Sequence, residues 1–269
     1  MNSKEKTSIP GAAGAFVEST QATGRVSFAL DELIAATGLS PIAARHQLLR
    51  LGERVVRVTP RQPYYLIVAP EHRAMGAPPV DHWLDDYMQW LGCSYYLALQ
   101  SAAAVHGSSP QALQETQVMT QQPRRDIVVG RLRLRFFMKS ALQNAVTQAL
   151  PAASAPLTVS TTETTVFDLL RYAHNLGGIE RMVETISPLL PTLKPRALSR
   201  VLAAENEIAT AQRLGYVLAR LGANTLSNAV DTWLPHPRPK ILLALHVEGD
   251  RQNQADPIWG VIDNTRCFP

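Results

Sequence analysis

The spacing of apolar residues at the start of the chain predicts two short helices joined by a tight turn. Apolar residues at helical spacing predict a helix over residues 31–37, and Gly38 is a favourable end for it. Ser40 is a good N-cap, and Pro41 suits the first helical position because its missing N–H is not needed there. A second helix is therefore predicted from Pro41 to about Leu51.

The pattern then changes to that of strands. Residues 54–58 and 64–68 are rich in β-branched and aromatic side chains, and the sequence TPRQP joins them. Helix, turn, helix and hairpin follow one another as in a winged helix-turn-helix. We therefore predict a DNA-binding domain of this kind over residues 12–69, preceded by a flexible tail, residues 1–11.

The remainder of the chain predicts a linker and a larger mixed domain. Three prolines in residues 69–82 favour a linker over residues 70–82, and residues 83–269 then form an α/β domain. Helices are predicted at residues 83–91, 95–106, 160–172, 178–188, 195–204, 206–221 and 226–234. Strands are predicted at residues 115–120, 126–129, 132–138, 240–247 and 259–262. The fold class is therefore α+β, with the winged helix first.

The second predicted helix has an apolar side and a polar side. Ala44, Leu48 and Leu51 repeat at helical spacing and predict a buried stripe, which leaves a polar face outward. Small and polar side chains can contact base edges, while cations bind phosphates. The outward residues are Ala43, His46, Gln47 and Arg50, with Arg45 at the margin. The basic wing candidates are Arg54, Arg57 and Arg61, and Gln62 lies beside them.

Charge favours DNA over the alternatives for this segment. Residues 41–62 contain five arginines against one acid, Glu53, which a neutral protein-docking module does not require. In the DNA interpretation Gln47 pairs with adenine, and Arg45 or Arg50 with guanine or phosphate. An ordinary solvated helix face and a docking module remain the alternatives.

A second basic cluster lies in the middle of the chain, whose net charge is +4. In the predicted strand 132–138, arginines alternate with apolar residues, so the arginines share one face. The cluster predicts a second nucleic-acid surface, a docking surface for an acidic protein, or a solvated sheet face. Its members are Arg124, Arg125, Arg131, Arg133, Arg135 and Lys139.

Sequence motifs for catalysis, metal binding and membrane insertion are lacking. Two distant cysteines, Cys93 and Cys267, form no disulfide framework or zinc motif, and no phosphate-binding or nucleophile motif is present. A run of apolar residues long enough for a signal peptide or a membrane span is also lacking. We therefore predict a cytoplasmic protein that is not an enzyme and needs no metal or cofactor.

Four segments together resemble the AbiEi family, the antitoxin component of type IV toxin–antitoxin and abortive-infection systems. The first is LSPIAARHQLLRLGERVVRV with the hairpin that ends in YYLIV. The others are YYLALQSAAAVHG, TTETTVFDLLRY followed by Gly177 and Gly178, and PIWGVIDN near the end. They cover nearly the whole chain in the expected order. The wing departs from the family, since Pro60-Arg61-Gln62-Pro63 stands where relatives often have glycine.

The resemblance implies a repressor of its own operon that binds promoter inverted repeats in double-stranded DNA. It also implies that the protein opposes a cognate nucleotidyltransferase-like toxin, with or without stable contact. The alternative is a winged-helix repressor whose C-terminal domain senses a small ligand, and a nuclease would need a carboxylate cluster that the sequence lacks. The residues carried over from the family's reading helix and wing are Ser40, Arg45, His46, Gln47, Arg50, Arg54, Arg57 and Arg61.

Overall fold

The computed structural model describes residues 11–108, 114–152, 155–245, 254–265 and 267–268, which form two compact units. The first unit comprises Met1–Ser94, Arg125–Arg135 and Leu150–Leu157, and the second comprises Tyr95–Arg124, Phe136–Ala149 and Thr158–Pro269. Apart from Gly11, the predicted tail lies outside the described residues.

Helices and strands are mixed along the described chain, which confirms the predicted fold class. The helices are α1 (Ala12–Ala22), α2 (Leu30–Thr37), α3 (Pro41–Arg50), α4 (Leu84–Trp90), α5 (Leu99–Val105), α6 (Thr162–Arg171), α7 (Ile179–Ile186), α8 (Pro195–Glu205), α9 (Ile208–Arg220) and α10 (Asn224–Trp233). The strands are β1 (Ser27–Ala29), β2 (Val55–Thr59), β3 (Gln62–Ile67), β4 (Tyr95–Leu97), β5 (Thr116–Thr120), β6 (Ile127–Val129), β7 (Leu132–Met138), β8 (Thr147–Leu150), β9 (Leu157–Ser160), β10 (Ile241–Leu242) and β11 (Val261–Ile262).

The first unit begins with a winged helix. Helices α2 and α3 are joined by a turn in which Gly38 has φ +68°, a conformation that glycine adopts without strain. Ser40 caps α3, because its Oγ accepts a hydrogen bond from the Ala43 N–H at 3.2 Å. Strands β2 and β3 form the antiparallel wing, and β1 pairs with the other edge of β3.

Aromatic stacking and aliphatic packing hold the winged helix together. The Phe28 ring meets Phe16 edge-on at 5.2 Å and stacks on Tyr65 at 5.6 Å between centroids. Leu33 of α2 and Leu48 of α3 are buried in the same core. This packing sets the rotation of α3 about its axis, and so determines which of its side chains face solvent.

The predicted linker packs within the first unit. It contains two short 3₁₀ turns, Pro70–His72 and Val80–His82. The Trp83 indole, which is buried, donates its N–H to the carbonyl oxygen of Pro78 at 3.1 Å. The predicted boundary between residues 82 and 83 thus falls inside this unit, because the chain first leaves it after Ser94.

A β-hairpin from later in the chain also belongs to the first unit. Strand β6 pairs antiparallel with the start of β7, and β6 lies beside the wing strand β2. At the turn, Gly130 has φ +56°, and a Cβ there would lie 2.2 Å from the Met75 carbonyl oxygen. The Arg131 N–H donates to that same oxygen at 2.8 Å. Glycine at position 130 lets the hairpin dock this closely.

In the second unit, helices pack on a sheet whose strand order is β7-β5-β4-β9-β8. Helix α6 is almost wholly buried and contacts α5, α7, α8 and α9. The predicted helix 95–106 is wrong in its first third, where β4 pairs with β5 and β9. All three residues of β4 are buried, and a short buried run has no periodicity that separates strand from helix.

Other strand predictions also differ from the structure. Strands β8 and β9 were not predicted, since β8 is exposed and lacks an apolar run. At the end of the chain, β10 and β11 form a short parallel pair that covers only part of the predicted strands. Residues 246–247 of the predicted strand 240–247 lie outside the described residues.

Candidate nucleic-acid interface

Helix α3 presents a mixed cationic and apolar face to solvent. His46 and Arg50 are exposed, as predicted, and so is Arg45, which was expected at the margin; none of the described residues forms an ion pair with either arginine. The Arg50 Nε donates to the His46 carbonyl oxygen at 3.3 Å, a local contact on the helix surface. Ile42 and Leu49 share this face, with exposed fractions of 67% and 79%.

The solvent-exposed face of α3 is rotated about the helix axis relative to the face that the sequence predicted. Ala43 and Gln47, expected outward, are half-buried. The Gln47 Oε1 accepts a hydrogen bond from the Ala13 N–H at 2.9 Å. Helix α1 has no side-chain cap of its own, so Gln47 supplies an acceptor for one of its unpaired first-turn N–H groups. The outward placement of Gln47 was therefore wrong, and its pairing with adenine stays a prediction.

Two of the three basic wing candidates, Arg54 and Arg57, and the neighbouring Gln62 form contacts within the first unit. Arg54 forms an exposed ion pair with Glu18 at 3.2 Å. Arg57 is half-buried, and its Nε donates to the Gln62 carbonyl oxygen across the hairpin at 2.8 Å. The Gln62 Oε1 accepts hydrogen bonds from the Thr59 hydroxyl at 2.9 Å and the Tyr87 hydroxyl at 2.5 Å. These contacts hold Arg57 and Gln62 away from the open position that the sequence predicted.

Arg61 is the wing candidate that stays open. It is exposed at the turn between β2 and β3, and none of the described residues forms an ion pair with it. Pro60 before it and the bonded Gln62 after it restrict the backbone there. The Arg61 side chain therefore projects from a turn whose backbone is restricted, although the family's usual glycine is lacking.

The second basic cluster is split by the fold. Arg125, Arg131 and Arg133 are exposed in the first unit. Arg135 of the first unit and Arg124 of the second are both half-buried. On the hairpin, exposed Val128 lies opposite Arg133, while buried Ile127 lies opposite buried Leu134. The hairpin thus has an apolar inner face and a cationic outer face.

Lys139 is not part of any basic surface, so its inclusion in the cluster was wrong. Its side chain has 0% exposure, and the residue lies just after β7. Along β7 the face that begins with exposed Arg133 ends with buried Phe137 and Lys139. The alternation of side chains along the strand is as predicted. However, the face that is exposed to solvent at Arg133 is buried at Phe137 and Lys139.

Comparison with known families supplies the deciding observation. A family model described as the AbiEi antitoxin C-terminal domain matches residues 95–220. Residues 95–220 are an AbiEi antitoxin domain. The resemblance seen in the sequence is therefore confirmed, and the AbiEi domain supports a role for the chain in a toxin–antitoxin system. The AbiEi family is typically not enzymatic.

A solved structure extends the likeness in fold beyond the AbiEi domain. The RV2827C protein from Mycobacterium tuberculosis has a TM-score of 0.69 at 16% identity, over 94% of this chain and 91% of that chain. The two proteins share a fold over both units. An antigenic nucleotidyltransferase-like protein from Paracoccidioides brasiliensis gives a TM-score of 0.39 at 13% identity, over 56% of this chain and 90% of that chain. No curated protein matches the sequence.

Inside the AbiEi domain, Lys139 is the centre of a buried polar network. Its Nζ lies 3.1 Å from Asp168 Oδ1, 2.5 Å from Glu205 Oε1 and 3.2 Å from the Tyr96 hydroxyl oxygen. The Tyr96 hydroxyl donates to the other Asp168 oxygen at 2.7 Å. Arg171, at the edge, lies 3.5 Å from the second Glu205 oxygen. The network joins the end of β7 to β4, α6 and α8.

This network is closed to substrates. The side chains of Lys139, Asp168 and Glu205 are at most 3% exposed. Burial raises the pKa of the Glu205 carboxyl, and the Lys139 ammonium beside it acts in the opposite direction. Each carboxylate has a cationic partner, so the arrangement is that of a structural ion cluster in the AbiEi domain.

The described residues also bear on metals and membranes. Among them, no cluster of three histidine, cysteine, aspartate or glutamate side chains has the geometry of a metal site. Over the same ranges, each helix is too short or too polar to cross a bilayer.

Proposed function

We propose that this protein is the antitoxin of a type IV toxin–antitoxin system and represses its own operon. In this proposal the winged helix binds inverted repeats in the promoter, and the AbiEi domain counteracts a nucleotidyltransferase-like toxin. The protein acts in the cytoplasm and catalyses no reaction of its own. The AbiEi match supports the antitoxin role, and the exposed face of α3 supports DNA binding.

The observation that carries the DNA proposal is the set of cations that the fold leaves open around α3 and the wing. Arg45, Arg50 and Arg61 are exposed and form no ion pair with a described residue. Arginines on phosphates release condensed counterions, which drives binding and makes it depend on salt. A winged helix places the second helix of its helix-turn-helix in the major groove. Here that helix is α3, from which Arg45 and His46 would reach base edges. Ser40 supports them by capping the helix.

The position of the β6–β7 hairpin favours one interpretation of the second basic cluster. The hairpin lies beside wing strand β2 in the same unit, and its outer face carries Arg131 and Arg133. Cations beside a DNA-binding wing are suited to phosphates further along the same duplex. We therefore assign Arg131 and Arg133 to the DNA backbone, in preference to an acidic partner protein.

The hairpin assignment predicts that Arg131→Ala/Arg133→Ala weakens promoter binding about tenfold without altering sequence preference. Loss of two phosphate contacts should also reduce the slope of log affinity against log salt by about 2. Gel shifts over a salt series measure both quantities. Arg196→Ala/Arg200→Ala removes two exposed arginines from α8 and serves as the charge-matched control. An unchanged slope would mean that the hairpin arginines do not contact DNA, and would favour a docking surface for an acidic protein or a solvated sheet face.

The function itself is tested with the wild-type chain in two assays. It should bind the duplex upstream of its own coding sequence more tightly than a scrambled duplex, with affinity falling steeply with salt. Co-expression with an adjacent nucleotidyltransferase-like reading frame should relieve the growth arrest that the latter causes. Promoter binding without relief would favour the ligand-sensing repressor, and relief without salt-dependent binding would favour a docking module.

A further inference from the structure

The exposed face of α3 contains two large apolar side chains that the cationic surface does not explain. Ile42 and Leu49 are 67% and 79% exposed, although the helix buries Ala44 and Leu48 on its other side. A single exposed apolar residue is ordinary on a protein surface. Here two such residues lie on the face of α3 that is proposed to contact DNA, between the cations that would bind it. This position indicates that they take part in recognising bases.

Helix geometry puts the two side chains in line. Residues seven positions apart lie about 20° apart around the axis and about 10 Å apart along it. Ile42 and Leu49 therefore occupy the centre of the exposed face, with Arg45 on one flank and His46 and Arg50 on the other. Stacked base pairs are about 3.4 Å apart, so this line spans about three of them.

Charge selects the occupant of this face. A second copy of the chain would bring Arg45 and Arg50 against the same arginines, which is unfavourable without intervening anions. A DNA duplex matches both components of the face, since it carries phosphates along its edges and apolar groups on its major-groove floor. The apolar group there is the C5-methyl of thymine.

We propose that Ile42 and Leu49 read thymine methyl groups in the major groove. This inference rests on the proposed function, because it names the base feature that the reading helix selects. The promoter half-sites would then carry thymines about three base pairs apart on the floor of the groove. Polar contacts from Arg45 and His46 would add to this selection but would not replace it.

Uracil-containing DNA isolates the methyl group. The promoter duplex is prepared by polymerase chain reaction with dTTP or with dUTP, which changes only the C5-methyl groups and leaves base pairing unchanged. Binding of wild type, Ile42→Ala/Leu49→Ala and Ile258→Ala to both duplexes is measured at one salt concentration. Ile258 is an exposed isoleucine of the second unit and gives the matched control.

Wild type and Ile258→Ala should bind thymine DNA about 15-fold more tightly than uracil DNA, since each of the two lost methyl contacts costs about fourfold. The double variant should bind both duplexes equally, with about the affinity of wild type for uracil DNA. Both substituted residues are exposed, so the fold should be retained, and circular dichroism checks this.

Other outcomes overturn the inference in distinguishable ways. Equal binding of wild type to both duplexes, with the promoter still preferred over a scrambled duplex, removes the methyl readout and leaves the proposed function intact. An equal loss on uracil DNA for wild type and the double variant means that duplex shape is sensed. A smaller sedimentation coefficient for the double variant without DNA means that the face joins two copies. No preference for the promoter by wild type defeats the proposed function and this inference together.

Discussion

Replacing Lys139 by Met is expected to lower the free energy of unfolding of the second unit by about 3–5 kcal/mol. Lys139 is fully buried and is the shared partner of the Asp168 and Glu205 carboxylates. Methionine fills similar space but leaves both carboxylates without their ammonium partner. Buried charge without a partner costs far more than the same charge in water. Urea denaturation followed by circular dichroism measures the loss.

The deficit of Lys139→Met should depend on pH. Burial already raises the pKa of Glu205, and loss of the ammonium removes a group that lowers it. A carboxyl whose pKa is raised in the folded state stabilises most below its unfolded pKa of about 4.3, and this contribution is lost as pH rises through the folded value. The variant should therefore come closest to wild type near pH 4 and fall furthest behind at neutral pH.

Two further variants separate this explanation from a simple packing defect. Lys240→Met replaces an exposed lysine of the same unit and should leave stability unchanged. Lys139→Met combined with Asp168→Asn and Glu205→Gln removes the unpartnered charges and should recover part of the loss. If the triple variant is less stable than Lys139→Met, or if the deficit does not vary with pH, the ion cluster does not stabilise the fold as argued.

Arg45→Ala/Arg50→Ala is expected to weaken promoter binding about 100-fold. Both guanidinium groups are open on the proposed reading face, and each contact with a base edge or phosphate contributes about 1–3 kcal/mol. Alanine is a strong helix former, and neither side chain is buried, so stability should be unchanged. Gel shifts at matched salt concentration measure the affinity, and urea denaturation checks the fold.

Arg196→Ala/Arg200→Ala controls for this experiment as well, because it removes the same charge from the exposed side of α8. If that control loses as much affinity as the α3 variant, net charge and not the reading face determines binding. Unchanged binding by the α3 variant would contradict DNA recognition through α3.

The winged helix could be predicted because local rules agree there. Gly38, Ser40 and Pro41 each suit their positions by conformation or capping, and the apolar period changes at the wing. The outward face was only partly predictable. On a helical wheel Ile42 and Leu49 lie well away from the buried Ala44 and Leu48, so the wheel could have placed both on the exposed side. The Gln47 contact with Ala13 spans 34 residues, and no local pattern signals it.

The sequence contains a sign of the buried ion network, but the periodicity of apolar residues does not identify which residues pair. Asp168 lies between Phe167 and Leu169 in an apolar helix, and a buried acid needs a partner. Lys139 extends the period-2 register of β7 beyond Phe137, which is buried. Their pairing depends on how β7 meets α6, which only the tertiary fold determines. Likewise, nothing local to the β6–β7 hairpin tells that it belongs with the wing.

The repeated passage of the chain between units restricts how this protein can be recombined. A single crossover between related genes after residue 94 would join a foreign winged helix to a resident β6–β7 hairpin. The interface between Gly130 and the Met75 carbonyl, together with β6 beside β2, would then have to fit sequences inherited from two parents. The two units are therefore expected to be inherited together, because the first unit is assembled from segments on both sides of residue 94.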